Sequence, residues 1–459
     1  MKITFINSPL QDYGKVEKRD YYTTPPLGLG YLATISKNLG NNVSLIDSEA
    51  KGLSLEQVDL LVEQQNPDLV GINLLTPTFE LSKQIIRNIK AKKPKIKIIV
   101  GGTHSTIKPE QSLKEIPEID VLVRGEGEIT LTELLNNNLN PFLVKGISYR
   151  KKNKIIHNQN RELIQNLDVL PFINRSFFVD DPHYENEKLK SVIMGSRGCP
   201  YACSFCSAPL TSGRKIRTRS IENIVNEIES LKQKYGIDSV HFLDNDFIYN
   251  KNRILNLADE LRARNLNINW RALARVDITA RFGKEFLRKI KQAGCYQLVF
   301  GIESGNQRIL NLINKGTTPE QARQAIQYCK EVGIKTKAYY MFGFPTETLQ
   351  EMNKTLEHSK ELNTDTACFV LVKAYPGTEM YNSLVKKYGD KQLQMYNHLQ
   401  EEVPLDIPNQ NFDKYHIGND VSFCKASPEQ LRSMLRKAYK IYYANENKRT
   451  QSKLELVGV

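Results

Sequence analysis

The sequence predicts an α/β fold in two successive parts. An open, Rossmann-like doubly wound sheet comes first, then a six-stranded partial TIM barrel with a mixed, partly helical C-terminal extension. Three observations carry this. Short apolar runs alternate with amphipathic stretches up to about residue 140, and the alternation lapses over a polar stretch to about residue 190. It then resumes for six strand–helix units, fewer than the eight of a closed barrel. At 459 residues the chain exceeds one ordinary domain of roughly 100–200 residues. The expected boundaries are 1–140, 141–190 (hairpin and linker), 191–388 and 389–459.

In the first part, Lys2–Asn7, Val43–Asp47, Leu69–Leu75, Lys97–Gly101 and Val121–Val123 read as buried parallel strands. Leu29–Leu39, Leu55–Gln65, Phe79–Ala91 and Ile129–Leu135 carry helical periodicity between them. Doubly wound sheets bind ligands at the carboxyl ends of their strands. Those ends here are Ser8-Pro9, Thr76-Pro77-Thr78, Gly101-Gly102-Thr103-His104 and Gly125-Glu126-Gly127-Glu128. Such small and polar residues let a large ligand approach the backbone. Gly146–Asn158 reads as a polar hairpin turning near Lys152-Asn153. An irregular linker follows, with Pro171, Asp180-Asp181-Pro182 and His183, expected to pack between the domains.

In the second part the predicted strands are Ser191–Met194, Ser239–Leu243, Asn269–Ala274, Gln297–Ile302, Lys335–Phe342 and Ala367–Val372. Helices fill the gaps at Ile221–Tyr235, Arg253–Ala263, Lys284–Ala293, Pro319–Val332 and Leu349–Leu362. Past Tyr388 the pattern weakens through Pro404–Asn411 to a final helix, Pro428–Tyr443.

The formal charge is +13, but the lysines are spread along the chain and mixed with acids. The densest clusters, Lys90–Lys97 and Lys151–Lys154, do not interleave aromatics as a nucleic-acid groove does. A solvated basic surface is therefore expected, with nucleic acid disfavoured as a partner. No apolar run reaches the roughly 18 residues of a membrane span, and the N-terminus lacks the pattern of a secretory signal. A cytoplasmic protein is the expectation.

Of seven cysteines, three crowd together at Gly198-Cys199-Pro200-Tyr201-Ala202-Cys203-Ser204-Phe205-Cys206. Cys295, Cys329, Cys368 and Cys424 are scattered and read as small buried hydrophobes. In a reducing compartment, clustered thiols point to metal or catalysis rather than to disulfides. Cys-x3-Cys-x2-Cys at a strand end can hold three irons of a [4Fe–4S] cube and leave the fourth open. The alternative is zinc, or a closed cluster completed by a distant cysteine. Zinc usually asks for a second Cys-x2-Cys pair, which the sequence lacks.

This spacing, with Phe205 just before the third cysteine, resembles the radical SAM superfamily. The resemblance implies a cluster held by Cys199, Cys203 and Cys206 whose open iron chelates S-adenosylmethionine (SAM). It further implies reductive cleavage of SAM to methionine and a 5′-deoxyadenosyl radical. The match continues along the chain through the Asp-rich His241–Phe247 stretch with Asp244, Arg275 after the third strand, and Phe300-Gly301-Ile302-Glu303-Ser304-Gly305. It extends to Gly343-Phe344-Pro345-Thr346-Glu347-Thr348 and Ala374-Tyr375-Pro376-Gly377-Thr378. By this resemblance Phe205, Asp244, Arg275, Glu303, Ser304 and Gly343 surround SAM. Singly, each is equally readable as a structural carboxylate, ion pair or turn; their shared placement at strand ends carries the argument.

The first part resembles the cobalamin-binding domain attached to many radical SAM proteins. The matching residues are Pro25–Ala33, Gly101–Thr106 and Arg124–Glu128. Leu27, Gly28, Thr76, Thr78, Gly101, Gly102, His104, Gly125 and Glu126 are the implied cobalamin contacts, with Leu75–Thr78 nearest the cobalt's lower face. One departure stands out. The Asp-x-His-x-x-Gly loop that supplies an axial histidine elsewhere is replaced by Ser8-Pro9-Leu10-Gln11-Asp12. The cobalt's lower ligand is therefore open, and His104 is as readily a hydrogen-bond partner as a ligand. A vestigial domain serving protein contacts is the alternative.

The joint resemblance implies methyl transfer from methylcobalamin to an unactivated carbon of a small-molecule, lipid or peptide substrate. The reducing electron would come from a donor such as flavodoxin or ferredoxin. The rival within the same architecture is rearrangement, cyclisation or ring contraction without net methylation. RNA methylthiolation is disfavoured because that family carries three further cysteines in its N-terminal domain, and none precedes Cys199 here. A non-enzymatic cobalamin or redox sensor would not need SAM-contact residues on every expected strand. No catalytic residue beyond the cluster ligands is legible.

Overall fold

The computed structural model describes residues 1–16, 18, 24–179, 192–389 and 422–444. Residues 180–183, 191, 404–411 and the tail beyond 444, on which sequence expectations fell, lie outside the described residues. The chain divides into two compact units, residues 1–185 with 207–213 and residues 186–206 with 214–459.

The first unit is built on β1 (Lys2–Asn7), β2 (Asn42–Asp47), β3 (Leu69–Asn73), β4 (Lys97–Gly101), β5 (Val121–Val123), β6 (Ile147–Lys151) and β7 (Lys154–His157). They form one seven-stranded sheet in the order β2-β1-β3-β4-β5-β6-β7. The first five pair in parallel. Adjacent residues on a strand enter opposite cores, as the two-residue period requires. Ile6, Val70 and Ile98 pack on one face, whereas Phe5, Leu69 and Ile99 pack on the other. The order reverses between β1 and β3, which makes their carboxyl ends the switch point where doubly wound sheets open a crevice.

The hairpin β6–β7 was expected to start a linker, but it continues this sheet antiparallel to β5, with Val121 opposite Tyr149 and Val123 opposite Ile147. Its inward Ile147 and Tyr149 are buried with β5 and complete the apolar face there. Two short helices, Thr103–Ile107 and Pro109–Glu115, occupy a stretch too short to show a helical period.

The second unit holds β8 (Val192–Ile193), the two-stranded ribbon of β9 (Ser196–Arg197) with β10 (Arg217–Thr218), and then β11 (Ser239–Phe242), β12 (Asn269–Ala274), β13 (Cys295–Glu303), β14 (Lys335–Phe342) and β15 (Thr366–Leu371). Six strands pair in parallel in the order β15-β14-β13-β12-β11-β8, which is chain order without a reversal. A sheet wound in one sense keeps its helices on one side, as in a barrel, and here it stays open at both edges.

Six helices of this unit start on a side-chain cap: Ser220, Asn250, Thr318, Thr348, Thr378 and Ser427 all accept a backbone N–H of the first turn. The helix expected at Lys284–Ala293 is present, and Gly283 (φ 79°, ψ 176°) separates it from a preceding helical stretch that starts at Val276. The apolar strand residues Phe242, Trp270, Phe300, Tyr340 and Phe369 pack against the helices. Alternate positions carry His241, Arg271 and Gln297, joined by contacts of 3.1 and 3.4 Å. Burial first, then Arg271 and Lys337, push His241 down to about 2, so it is neutral.

The helix Pro428–Tyr442 covers the edge strand β15. Tyr439 Oη takes the N–H of Phe369 and donates to its carbonyl, both at 3.0 Å. Tyr443 Oη does the same for Ala367, at 2.9 and 2.7 Å. Among the described residues, no helix is long and apolar enough to cross a membrane.

Candidate active site

The cysteine loop leaves β9 and returns on β10, with Arg197 opposite Arg217 and Thr218 opposite Ser196 closing its base. Cys199, Cys203 and Cys206 are half-buried on this loop and take part in no disulfide. The Ser204 N–H donates to the Ile313 carbonyl and the Ser204 carbonyl accepts from the Met380 N–H, each at 2.9 Å. Phe205 packs 5.8 Å from Phe344, beside Ile309, Ile313 and Val372. These contacts fix the backbone from which the thiols project. Cys295 and Cys329 are buried in the barrel core, away from the loop.

Around the carboxyl ends of β11 to β14 lies a group of buried charges. Asp244 accepts the Gly195 N–H at 2.9 Å and the Ser196 hydroxyl, so both its oxygens serve the chain that leads into the loop. Asp246 accepts the Tyr201 hydroxyl at 3.1 Å, while its other oxygen is buried without a hydrogen-bond partner. Burial raises both carboxyls to about 6 against the hydrogen bonds that lower them. The Arg275 guanidinium lies 3.6 Å above the Tyr201 ring. It also donates to Asp277 at 3.0 Å and to the Lys315 carbonyl at 2.7 Å.

Glu303, at φ +64°, pairs with Lys315 at 2.7 Å, both groups being buried. The pair lies across Gly301, where an added Cβ would stand 2.4 Å from the Glu303 carboxylate. Ser304 is engaged with Thr355 at 3.0 Å. At the end of β14, the N–H groups of Gly343 and Phe344 converge on one oxygen of Glu347, at 2.7 and 3.0 Å. Five expected SAM contacts (Asp244, Arg275, Glu303, Ser304 and Gly343) thus stand at successive strand ends, and Phe205 stands on the loop.

In the first unit, Asn7, Asp47 and Asn73 are linked across β2, β1 and β3 at 2.8 and 2.9 Å, which locks the ends of the switch-point strands. Thr76 meets His104 Nδ1 at 3.1 Å, and the His104 ring lies 4.4 Å from Phe79. His104 is therefore folded into the sheet end, 1% exposed. Thr78 closes its own turn on Leu75. Gly102, at φ +104°, has the Leu74 carbonyl 2.8 Å from where a Cβ would stand, so only glycine lets β4 end this close to β3. Beyond Gly28 and Gly125 there is open space where a side chain would project. Leu27 opens the helix Leu27–Asn38, Gly101 ends β4, and Glu126 accepts the Ile164 N–H at 2.7 Å.

The radical SAM superfamily model matches residues 193–358, and the B12 binding domain model matches residues 18–135. An uncharacterised methyltransferase of Pyrococcus horikoshii is 33% identical over 448 residues, covering 96% of this chain and 92% of that protein. The chain belongs to the radical SAM superfamily, in the branch that carries a B12-binding domain. The anaerobic magnesium-protoporphyrin IX monomethyl ester cyclase of Rubrivivax gelatinosus is 29% identical, over 81% of this chain and 68% of the cyclase. A radical S-adenosylmethionine methyltransferase from Kitasatospora setae, solved with tryptophan and a SAM analogue, shares the fold. Its TM-score is 0.69 at 20% identity, over 84% of this chain and 76% of that one.

A radical SAM enzyme with a B12-binding domain uses a [4Fe–4S] cluster, SAM and cobalamin. The residues present fit these groups. Among the described residues, no three His, Cys, Asp or Glu side chains converge as they would around a single ion. A cube does not ask for that, since it takes one thiolate per iron. Burial pushes the Cys199 thiol up, against a backbone hydrogen bond at Tyr201 that lowers it. Gly28 and Gly125 leave the backbone at these strand and helix ends open to a ligand's approach. Tyr201, Asp246 and Lys315 were not singled out from sequence. The adjacent Asp244-Asn245-Asp246 made Asp246 visible, but nothing local revealed that Lys315, twelve residues past Glu303, would pair with it.

Proposed function

We propose that this radical SAM enzyme is a cobalamin-dependent methyltransferase acting on an unactivated carbon of a small-molecule, lipid or peptide substrate. The observation that carries the reading is one chain joining a B12-binding domain to a radical SAM core, whose 33% identical relative bears the name methyltransferase. The cyclase relative supports a second reading, cyclisation or rearrangement without net methylation.

Cys199, Cys203 and Cys206 are proposed to hold the cluster, and Phe205 to keep their loop packed on Phe344. When bound, the cluster and SAM supply radical chemistry and the corrinoid supplies a transferable methyl group. The protein's part is to bind and orient. The buried Asp246, with one oxygen open, suits the ammonium end of SAM, and the cationic Arg275 and Lys315 suit its carboxylate. Glu303, Ser304 and Gly343 are proposed to line the nucleoside part, and Asp244 to hold the backbone at Gly195 and Ser196. Leu27, Gly28, Thr76, Thr78, Gly101, Gly102, His104, Gly125 and Glu126 are the proposed cobalamin surroundings. His104, occupied by Thr76 and Phe79, is proposed to shape that site rather than to ligate cobalt. A flavodoxin- or ferredoxin-like electron donor in a reducing cytoplasm completes the proposal.

The test is anaerobic reconstitution with iron, sulfide and hydroxocobalamin, followed by reduction with SAM. Bound corrinoid and 5′-deoxyadenosine are expected. Lack of corrinoid sinks the methyltransferase reading, whereas lack of 5′-deoxyadenosine sinks the radical assignment itself.

A further inference from the structure

The first unit carries an exposed apolar tip beside a group of lysines, and neither the cofactor sites nor the core uses it. Phe142 and Leu143 are 60% and 82% exposed, while the next residue, Val144, is buried at 2%. The backbone holds the pair outward. Leu143 sits at φ +69°, a left-handed conformation that a leucine adopts only under constraint. The Asn158 amide donates to the carbonyls of Pro141 and Val144, both at 2.8 Å, and so clamps the loop to the end of β7.

The same hairpin presents Lys151, Lys152 and Lys154, all exposed, at its turn. Lys151 Nζ stands 6.0 Å from the centre of the Phe142 ring, and exposed Lys145 lies two residues beyond Leu143. The cluster that looked like an ordinary solvated run in the sequence is thus next to the most exposed large hydrophobic side chain described.

We propose that this tip is an anchor for an anionic phospholipid bilayer surface. Phe142 and Leu143 enter the boundary between headgroups and acyl chains, and the four lysines lie on the anionic headgroups. Two protruding apolar side chains are too few for the core of a stable protein interface, which buries several hundred Å² per partner. They suit shallow interfacial insertion, and the lysines supply the second signal that such weak anchors need. The attachment is peripheral, and it is independent of whether the reaction is methylation or cyclisation.

Flotation of the full chain with phosphatidylcholine vesicles, with and without phosphatidylglycerol, tests this. Binding is expected only with phosphatidylglycerol, weakening in high salt. It is expected to fall about tenfold or more both in F142S/L143S and in K151E/K152E/K154E, each replacing exposed residues outside the core. A Phe142→Trp variant is expected to shift its emission to the blue on those vesicles, over a constant signal from the buried Trp270. Circular dichroism melts of each variant separate lost anchoring from lost folding. Failure of the wild-type chain to float overturns the proposal, as does unchanged flotation in both variants. Loss in the lysine variant alone overturns insertion, and Phe142/Leu143-dependent self-association without flotation assigns the patch to a second copy instead.

Discussion

Glu347 illustrates what a residue's neighbours add to its identity. One oxygen takes two backbone N–H groups, from Gly343 and Phe344, while the other is buried without a partner. Burial pushes the carboxyl from 4.5 up to about 7, against those two hydrogen bonds. A raised folded-state pKa means stability that is full below pH 4.5 and is lost as pH rises through about 7. Glu347→Gln keeps an acceptor for both N–H groups and removes the buried charge. It is expected to melt at a higher temperature than the parent at pH 8. The gain is at most on the order of 3 kcal/mol, because the new amide hydrogens also need partners. The difference should shrink towards pH 5, and melts across pH 5–8.5 read it directly. The sequence made Glu347 visible as part of the Gly-Phe-Pro-Thr-Glu-Thr run, but not its ionisation, which depends on the depth of burial. Asp246 shows the same limit, since its open oxygen exists only because Tyr201, forty-five residues earlier, reaches the other one.

At the scale of elements, periodicity was enough where strands and helices are long. Lys97–Gly101, Asn269–Ala274, Ile221–Tyr235 and Pro319–Val332 stand where the sequence puts them. It failed where a segment is too short to show a period, as in Thr103–Ile107, or where pairing is decided elsewhere, as in the hairpin that joins β5. The helix Glu379–Tyr388 is not among the helices expected from periodicity, although Thr378 caps it. The tyrosines of the last helix belong to this second kind.

Tyr439 and Tyr443 are four residues apart, a rise of about 6 Å on a helix. Ala367 and Phe369 are two apart, about 6.6 Å on a strand. The match lets two hydroxyls satisfy the edge of β15 where a seventh strand would have paired. Tyr439→Phe and Tyr443→Phe should therefore each cost about 1–3 kcal/mol, the penalty of stranding buried backbone groups. Amide exchange should quicken at Ala367 and Phe369 while Trp270 keeps its protection. Equal acceleration at all three would mean that the helix supports the barrel as a whole rather than its edge.

For the whole molecule, the division into two compact units means that the two cofactor assignments can fail separately. Their sequence signals differed in kind. Three cysteines in eight residues announce their chemistry without help, because few other arrangements of thiols serve a purpose in a reducing setting. The proposed cobalamin surroundings are mostly glycine, threonine and backbone, which have no such identity, and they are readable only as a series of strand ends. Two substitutions separate them. Cys203→Ala removes a proposed ligand on the loop and is expected to abolish the brown cluster absorbance and 5′-deoxyadenosine formation, while corrinoid still binds. Gly28→Phe projects into open space, with nothing within 4 Å of the new Cβ, so the helix Leu27–Asn38 has no reason to unfold. If Gly28 borders the corrinoid as proposed, bound cobalt should fall about tenfold or more. Iron content should stay unchanged, and 5′-deoxyadenosine should still form without methylated product. Cobalt and iron measured on the same reconstituted samples decide the matter. If both metals fell together in either variant, the two units would depend on each other for loading, and the assignment of each site to one unit would be wrong.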